Sequence, residues 1–269
     1  AHWAITKPET KFIVYYHSPA RYLWDWTNEY KKDIWFDKWI KWYILNKLFL
    51  NLRKWDFIAS KRVDISLANS TNVMRRIEKY YRKDSSLVYP PVETTRFMPG
   101  EKWDYYIIIS ALTEFKKIEV AIEAFNKMSD KKLKIVWDWN YRANLESMKT
   151  SKKIEFLWAK YGQELVNLLQ NSKWLIFPWE EDFGIVPIEA QASWKAVFAY
   201  KWGWLLETVI EWITWEFFDD KNWSDFVEKF ERFDYNIDNS IYNEEKIRNN
   251  ALRFSEEEFE KKIMEAVYK

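Results

Sequence analysis

Between Tyr105 and Val209, short apolar runs alternate with stretches that read as helices of about ten residues, and this alternation restricts the fold more than any other feature. Tyr105–Ser110 (YYIIIS), Lys132–Val136, Ile154–Leu157, Trp174–Pro178 (WLIFP) and Ala196–Ala199 are too short for helices and read as strands. Ile118–Met128 is amphipathic at helical spacing. Arg142–Met148, Gln163–Leu169, a segment from Pro187 and another from Leu205 complete the helical set. Strands that are apolar throughout and separated by helices form βαβ units, with a parallel sheet buried on both faces and right-handed crossovers. The fold class is therefore α/β.

The first ninety residues follow a looser version of the pattern. Lys11–Tyr16 (KFIVYY) reads as a buried strand with only ten residues before it, so the chain looks cut at its start. Arg21–Ser60 is helical in character, with Ile44, Leu45, Leu48 and Leu52 at three- and four-residue spacing, and its aromatics read as core rather than ligand platforms. Asp64–Asn69 (DISLAN) is a strand. Ser70 then caps a helix through Val73, Ile77 and Tyr80. Pro90-Pro91 breaks the chain, and the polar segment to Lys102 has the composition of a linker. Asn243–Lys269 is a charged helix or helix pair with Ala251, Phe254, Phe259 and Ile263 on one face.

Composition removes several function classes. The chain has 269 residues, 48% hydrophobic and 31% charged, enough for a packed core and too apolar for disorder. A net charge of +1 gives no general field for nucleic acid. There is no cysteine, and His2 and His17 are the only histidines, so neither a disulfide framework nor a cysteine- or histidine-based metal site is expected. No run approaches a membrane-spanning length and no signal peptide opens the chain, which reads as cytoplasmic. A dinucleotide-binding Rossmann enzyme is disfavoured, because no G-x-G-x-x-G follows a strand.

In open parallel sheets, ligands bind beyond the carboxyl ends of the strands. The most informative such end is Phe177–Gln191, FPWEEDFGIVPIEAQ. The strand stops at Pro178 and an acidic loop of Glu180, Glu181 and Asp182 follows. Pro187 fits the first turn of the next helix and places Glu189 in that turn. Free backbone N–H groups at such a tip suit a phosphate, with a carboxylate on either side to accept from sugar hydroxyls. Spacing alone leaves a plainer alternative open. Glu189 could merely complement the helix dipole, and Glu181 could be a solvated loop charge.

Glu181-Asp182-Phe183-Gly184-Ile185-Val186-Pro187-Ile188-Glu189 resembles the E-x7-E motif of the group-1, family-4 retaining glycosyltransferases, which have the GT-B fold. Other segments are similar to that family in the same order. They are Tyr15–Tyr22 with Trp24-Asp25, Arg62-Val63-Asp64 with Ala68-Asn69-Ser70, and Tyr89-Pro90-Pro91-Val92. Asp104–Ser110 with Leu112, Lys116 and Ala124-Phe125, and Leu206-Glu207-Thr208-Val209, complete the series. The likeness covers roughly residues 10–235 and is strongest to the mannosyltransferase-like branch of polysaccharide assembly.

The resemblance implies roles residue by residue. Glu189 would hold the nucleotide ribose and Glu181 the hydroxyls of the donor sugar. Backbone N–H groups from Phe183 through Gly184 to Ile185 would face sugar and diphosphate. Lys116 would neutralise the diphosphate, with no metal and no cofactor required. His17 would reach the donor sugar, and Arg21 the phosphates or the acceptor. Ser110, Glu207 and Thr208 fall in matching turns, and backbone near Leu157 would border the base. The implied reaction moves a hexosyl group, with mannosyl the first choice, from a GDP- or UDP-linked sugar to a glycan or lipid-linked acceptor with retention. It would take place in the cytoplasm or at the inner membrane face, in surface polysaccharide synthesis. Residues 1–93 would be the remnant of an acceptor-side domain lacking about 80–100 N-terminal residues, the part through which peripheral membrane association would act. Residues 94–235 would bind the nucleotide sugar, and 236–269 would pack back toward the first domain.

The sequence departs from the family pattern in two ways. Ala111 stands where the family has an arginine, removing half of the diphosphate clamp unless Lys117 or Arg21 substitutes. This supports the alternative of a truncated or degenerate protein that binds nucleotide sugar without turning it over. The other departure is compositional. Glycine occurs 4 times and tryptophan 19 times, where average usage would give about 19 glycines. Trp137, Trp139, Trp158, Trp179, Trp194, Trp202, Trp204, Trp212 and Trp215 occupy positions that are glycine in the family, whereas Trp24 and Trp55 match family tryptophans. A lectin-like reading, with the indoles as sugar platforms, fits less well, because their positions follow turn grammar rather than one face. The pattern fits a reassigned stop codon that means glycine in the source lineage and has been translated as tryptophan.

Overall fold

The structure is a computed structural model that describes residues 2–25, 27, 39–101, 103–128, 130–179, 181, 183–201, 205–208, 215–218 and 223–268. The chain divides into two compact units, one of Ala1–Pro90 with Phe259–Lys269 and one of Pro91–Glu258. The break falls within the Pro90-Pro91 pair, where neither residue can donate a backbone hydrogen bond.

The first unit holds a three-stranded parallel sheet in the order β1 (Ile13–Tyr16), β2 (Ile65–Ala68), β3 (Ser86–Leu87). Between β1 and β2 run α1 (Arg21–Trp24) and α2 (Trp39–Ser60); residues 28–38 of the expected continuous helix lie outside the described residues. Strand alternation sorts the side chains by face. Val14, Tyr16 and Ala68 pack with Val73, Ile77 and Tyr81 of α3 (Thr71–Tyr81). Ile13, Tyr15, Ile65 and Leu67 pack with Phe259, Ile263 and Ala266 of the last helix, Glu256–Val267. Ser70 caps α3, its side chain accepting from the Val73 backbone N–H at 3.2 Å, as the sequence suggests.

The second unit is a six-stranded, fully parallel sheet in the order β6-β5-β4-β7-β8-β9. Its strands are β4 (Tyr105–Ile109), β5 (Lys132–Val136), β6 (Ile154–Leu157), β7 (Leu175–Phe177), β8 (Val197–Tyr200) and β9 (Trp215–Phe218). The connecting helices are α4 (Ile118–Lys127), α5 (Arg142–Met148), α6 (Gly162–Gln170), α7 (Ile185–Ala192) and α8 (Leu205–Thr208). Every residue of β4 and β7 is buried, as the continuous apolar runs require. The chain builds outward from β4 in one direction and from β7 in the other, so the strand order reverses between them.

Several boundaries differ from the sequence reading. Trp215, read as a turn residue, begins β9 and pairs with Val197. α9 (Trp223–Asp238) covers the sheet with Phe226, Phe230 and Phe233, all buried, and Phe230 stacks on Trp174 at 4.7 Å. The expected cut after residue 235 falls inside this helix. The following α10 (Glu244–Leu252) stays with the second unit, and the portion assigned to the first unit begins at Phe259. No described helix is long and apolar enough to cross a membrane.

Candidate functional site

The strand order reverses between β4 and β7, and the carboxyl ends of these two strands are the usual ligand position in this architecture. The β4 loop passes through Ser110, which is buried, and a short turn of 3-10 helix, Glu114–Lys116, before α4. The β7 loop passes through Trp179 and Glu181 before Gly184 starts α7 in an extended conformation. Lys116 and Glu181, 65 residues apart, form an ion pair across this point. The Lys116 side chain is only 11% exposed, so its ammonium depends on this carboxylate, which is 33% exposed. Trp179 is buried and completes the group. Its indole N–H donates to the same Glu181 oxygen at 3.0 Å, its ring lies 4.7 Å from the Lys116 ammonium, and Phe177 packs 3.9 Å away.

Glu189 is placed differently from the sequence expectation. α7 begins at Ile185, two residues before Pro187, because the extended Gly184 (φ −105°, ψ 110°) lets the helix open earlier. Glu189 is therefore the fifth helical residue and not part of the first turn. Its electrostatic neighbours are Arg96 and Glu93 rather than Lys116. Burial raises its carboxyl to about 7; Arg96 opposes the rise and Glu93 adds to it. Arg96 was not singled out by the sequence. It stands in the 3-10 turn Thr94–Arg96, and its guanidinium lies 4.0 Å from the point where a Cβ on Gly162, at the start of α6, would sit.

The other expected site residues are spread over both units. Gly184 is buried, Ile185 is exposed, and the Phe183 ring lies 6.4 Å from that of Phe254. The Leu157 carbonyl accepts from Arg142 at 3.2 Å, and Arg142 also reaches the carbonyl of Phe156. Thr208 is buried, and its carbonyl accepts from Asn250, which also donates to Gln191 at 2.7 Å; Glu207 beside it is half-buried. His17 and Arg21 belong to the first unit. His17 is exposed just past β1, edge-on to Tyr15 at 5.3 Å, and Arg21 opens α1, half-buried. Asp182, Trp202, Trp204, Trp212 and Val209 lie outside the described residues. Among the described residues no group of three or more metal-ligating side chains could hold an ion.

Two Rossmann-like α/β units with parallel sheets, the second carrying a cation–carboxylate pair at its switch point, define a protein of the GT-B type. The chain belongs to the family described as glycosyl transferases group 1, whose model matches residues 95–251. It is 24% identical over 252 residues to the alpha-1,3/1,6-mannosyltransferase ALG2 of Candida glabrata, an alignment covering 74% of this chain and 53% of that protein. The chain thus spans about half the length of this curated relative. Among solved structures, it superposes on HepE of Anabaena in complex with UDP and glucose with a TM-score of 0.76 at 14% identity, over 95% of this chain and 71% of that one. A sucrose-phosphate synthase from Thermosynechococcus elongatus gives 0.75 at 14% identity, covering 95% and 67%. A glycosyltransferase from Rickettsia africae gives 0.65 at 21%, covering 75% and 62%.

Proposed function

We propose that the second unit is the donor-binding half of a retaining, metal-independent hexosyltransferase. The donor is a nucleotide-diphosphate sugar, and the acceptor is a hydroxyl of a glycan or lipid-linked saccharide in surface polysaccharide synthesis. GDP-mannose is the first donor to test, a choice supported by the mannosyltransferase relative; UDP-sugars follow, since HepE was solved with UDP and glucose. The reading rests chiefly on the Lys116–Glu181 pair at the switch point. In the reaction the bond between the anomeric carbon and the diphosphate oxygen breaks, and a bond to the acceptor oxygen forms on the same face. The nucleoside diphosphate leaves, and its phosphate oxygen takes the acceptor proton.

Each residue has a part in this scheme. Lys116 offsets the charge that grows on the departing diphosphate. Glu181, released from Lys116 when the diphosphate arrives, accepts from sugar hydroxyls. The free N–H groups at the start of α7 add positive potential. Glu189 accepts from a ribose hydroxyl.

The test is a donor screen on protein carrying glycine at positions 137, 179 and 194, reading nucleoside diphosphate release with GDP-mannose and UDP-sugars. Lys116→Ala is expected to lower release by about 100-fold, the size of a lost electrostatic contact to a developing anion. Release that Glu181→Ala and Lys116→Ala both leave unchanged removes the site assignment.

A further inference from the structure

Two cavities of the second unit lie away from Lys116 and Glu181. One of about 450 Å³ lies beside Asp104, Lys131 and Lys173, at the amino ends of the strands, and one of about 680 Å³ is ringed by Lys132, Lys134, Lys149, Lys152 and Lys153. At the Lys116–Glu181 pair the Trp179 indole is buried and in contact with both partners.

Two further tryptophans hold backbone conformations that suit glycine. Trp137, at the end of β5, has φ 119°, far outside the left-handed region of about +50 to +70° that non-glycine residues visit. Trp194 has φ 58° just past the end of α7. There its N–H bonds the Gln191 carbonyl at 3.0 Å, and the Lys195 N–H bonds the Ala190 carbonyl at 2.8 Å. That pair of bonds is the Schellman ending, whose left-handed residue is usually glycine. Trp139 and Trp158, in loops after strands, are 58% and 64% exposed. Trp24 differs from Trp137, Trp139, Trp158 and Trp194. It donates its indole N–H to the buried Asp56 at 2.8 Å and stacks on Tyr80 at 5.0 Å, so its indole is part of the packing.

We infer that positions 137, 179 and 194 carry glycine in the protein made by the source cell, and that the space filled by the Trp179 indole is the mouth of the donor pocket. The second half rests on the function proposed above; the first half stands on backbone geometry at positions 137 and 194, and at 179 on composition and its place in the same turn pattern alone. A chemical route exists, because UGA, one base from the tryptophan codon UGG and one from the glycine codon GGA, is reassigned in some genetic codes. Glycine at 179 would remove the indole that contacts both the Lys116 ammonium and the Glu181 carboxylate.

Three measurements on the full chain test this. The gene should read UGA at codons 137, 179 and 194 and UGG at codons 24 and 55; UGG at 137 and 194 overturns the inference. Trp137→Gly and Trp194→Gly should each raise the thermal midpoint by about 2–4 °C, the shift expected for relief of roughly 1 kcal/mol in a chain of this size. A fall in both midpoints also overturns it. Trp179→Gly, in that background, should convert undetectable GDP and UDP binding in titration calorimetry to saturable binding. If the codons and midpoints behave as stated and neither nucleotide binds, the glycine identities stand, and the donor pocket fails together with the function it rests on.

Discussion

Trp179 and Lys116 converge on one carboxylate oxygen of Glu181, the indole N–H at 3.0 Å and the ammonium as an ion pair. An indole and an ammonium sharing one acceptor makes the three residues one energetic unit. Removing any member changes what the others are worth.

A double-mutant cycle should expose that coupling. Lys116→Met and Glu181→Gln, alone and together, are expected to give a coupling free energy of about 1–2 kcal/mol in urea unfolding, more than an exposed pair supplies because the lysine is largely shielded from water. Additivity within experimental error would show that the pair contributes nothing to the fold.

Glu189 makes stability depend on pH in the direction opposite to most carboxylates. Its folded pKa is raised from 4.5 to about 7, so the folded state holds a proton that the unfolded chain has released. Stability therefore falls as pH rises from 4.5 toward 7 and stays lower above that. Glu189→Gln should remove this slope and raise stability at pH 8 by about 2 kcal/mol, with no gain at pH 4. Guanidinium titrations at the two pH values check it; an equal effect at both would mean that the carboxyl is ionised throughout.

Asp56 is the buried anchor of the first unit. Fully enclosed, it accepts from His2 at 2.9 Å, Trp24 at 2.8 Å and Tyr81 at 2.9 Å. Burial alone would raise its carboxyl, but the hydrogen bonds from His2, Trp24 and Tyr81 outweigh it and hold the group below the usual range. The stability it supplies is thus present above the ordinary aspartate pKa and lost as pH falls through the depressed one. Asp56→Ala should cost about 3 kcal/mol in chemical unfolding, since the buried His2 and Tyr81 and the half-buried Trp24 lose their shared acceptor. A loss under about 0.5 kcal/mol would mean that water replaces the carboxylate.

Legibility differed between elements for identifiable reasons. The strands from Tyr105 to Ala199 were readable to within a residue or two because each is a short, largely apolar run, too short to be a helix. The cap at Ser70 was readable because a hydroxyl precedes a helical period. β9 was not, because Trp215 sits in a segment whose pattern reads as a turn, and its pairing with Val197 is a tertiary contact. The start of α7 was misplaced because Pro187 signals a first turn without fixing which residue of the turn it occupies. Lys116 and Glu181 were each singled out, but their meeting follows from strand order, which no local pattern carries. Arg96 escaped notice because a lone arginine in a polar linker resembles any solvated charge.

The cap at Ser70 supports the most local of these expectations. α3 carries the face that covers β1 and β2, through Val73, Ile77 and Tyr81. Its first turn has no acidic residue, so the serine hydroxyl on the Val73 N–H at 3.2 Å is the side-chain cap present. Ser70 is also fully buried, which prevents water from replacing the hydroxyl readily. Ser70→Ala should therefore cost about 1–2 kcal/mol, and Ser70→Asp, which keeps an acceptor and adds favourable charge at the helix start, should recover part of that loss unless the buried site rejects the charge. Hydrogen exchange at the Val73 amide distinguishes the outcomes. Faster exchange in Ser70→Ala is expected, and unchanged protection would show that the hydroxyl does not hold the end of α3.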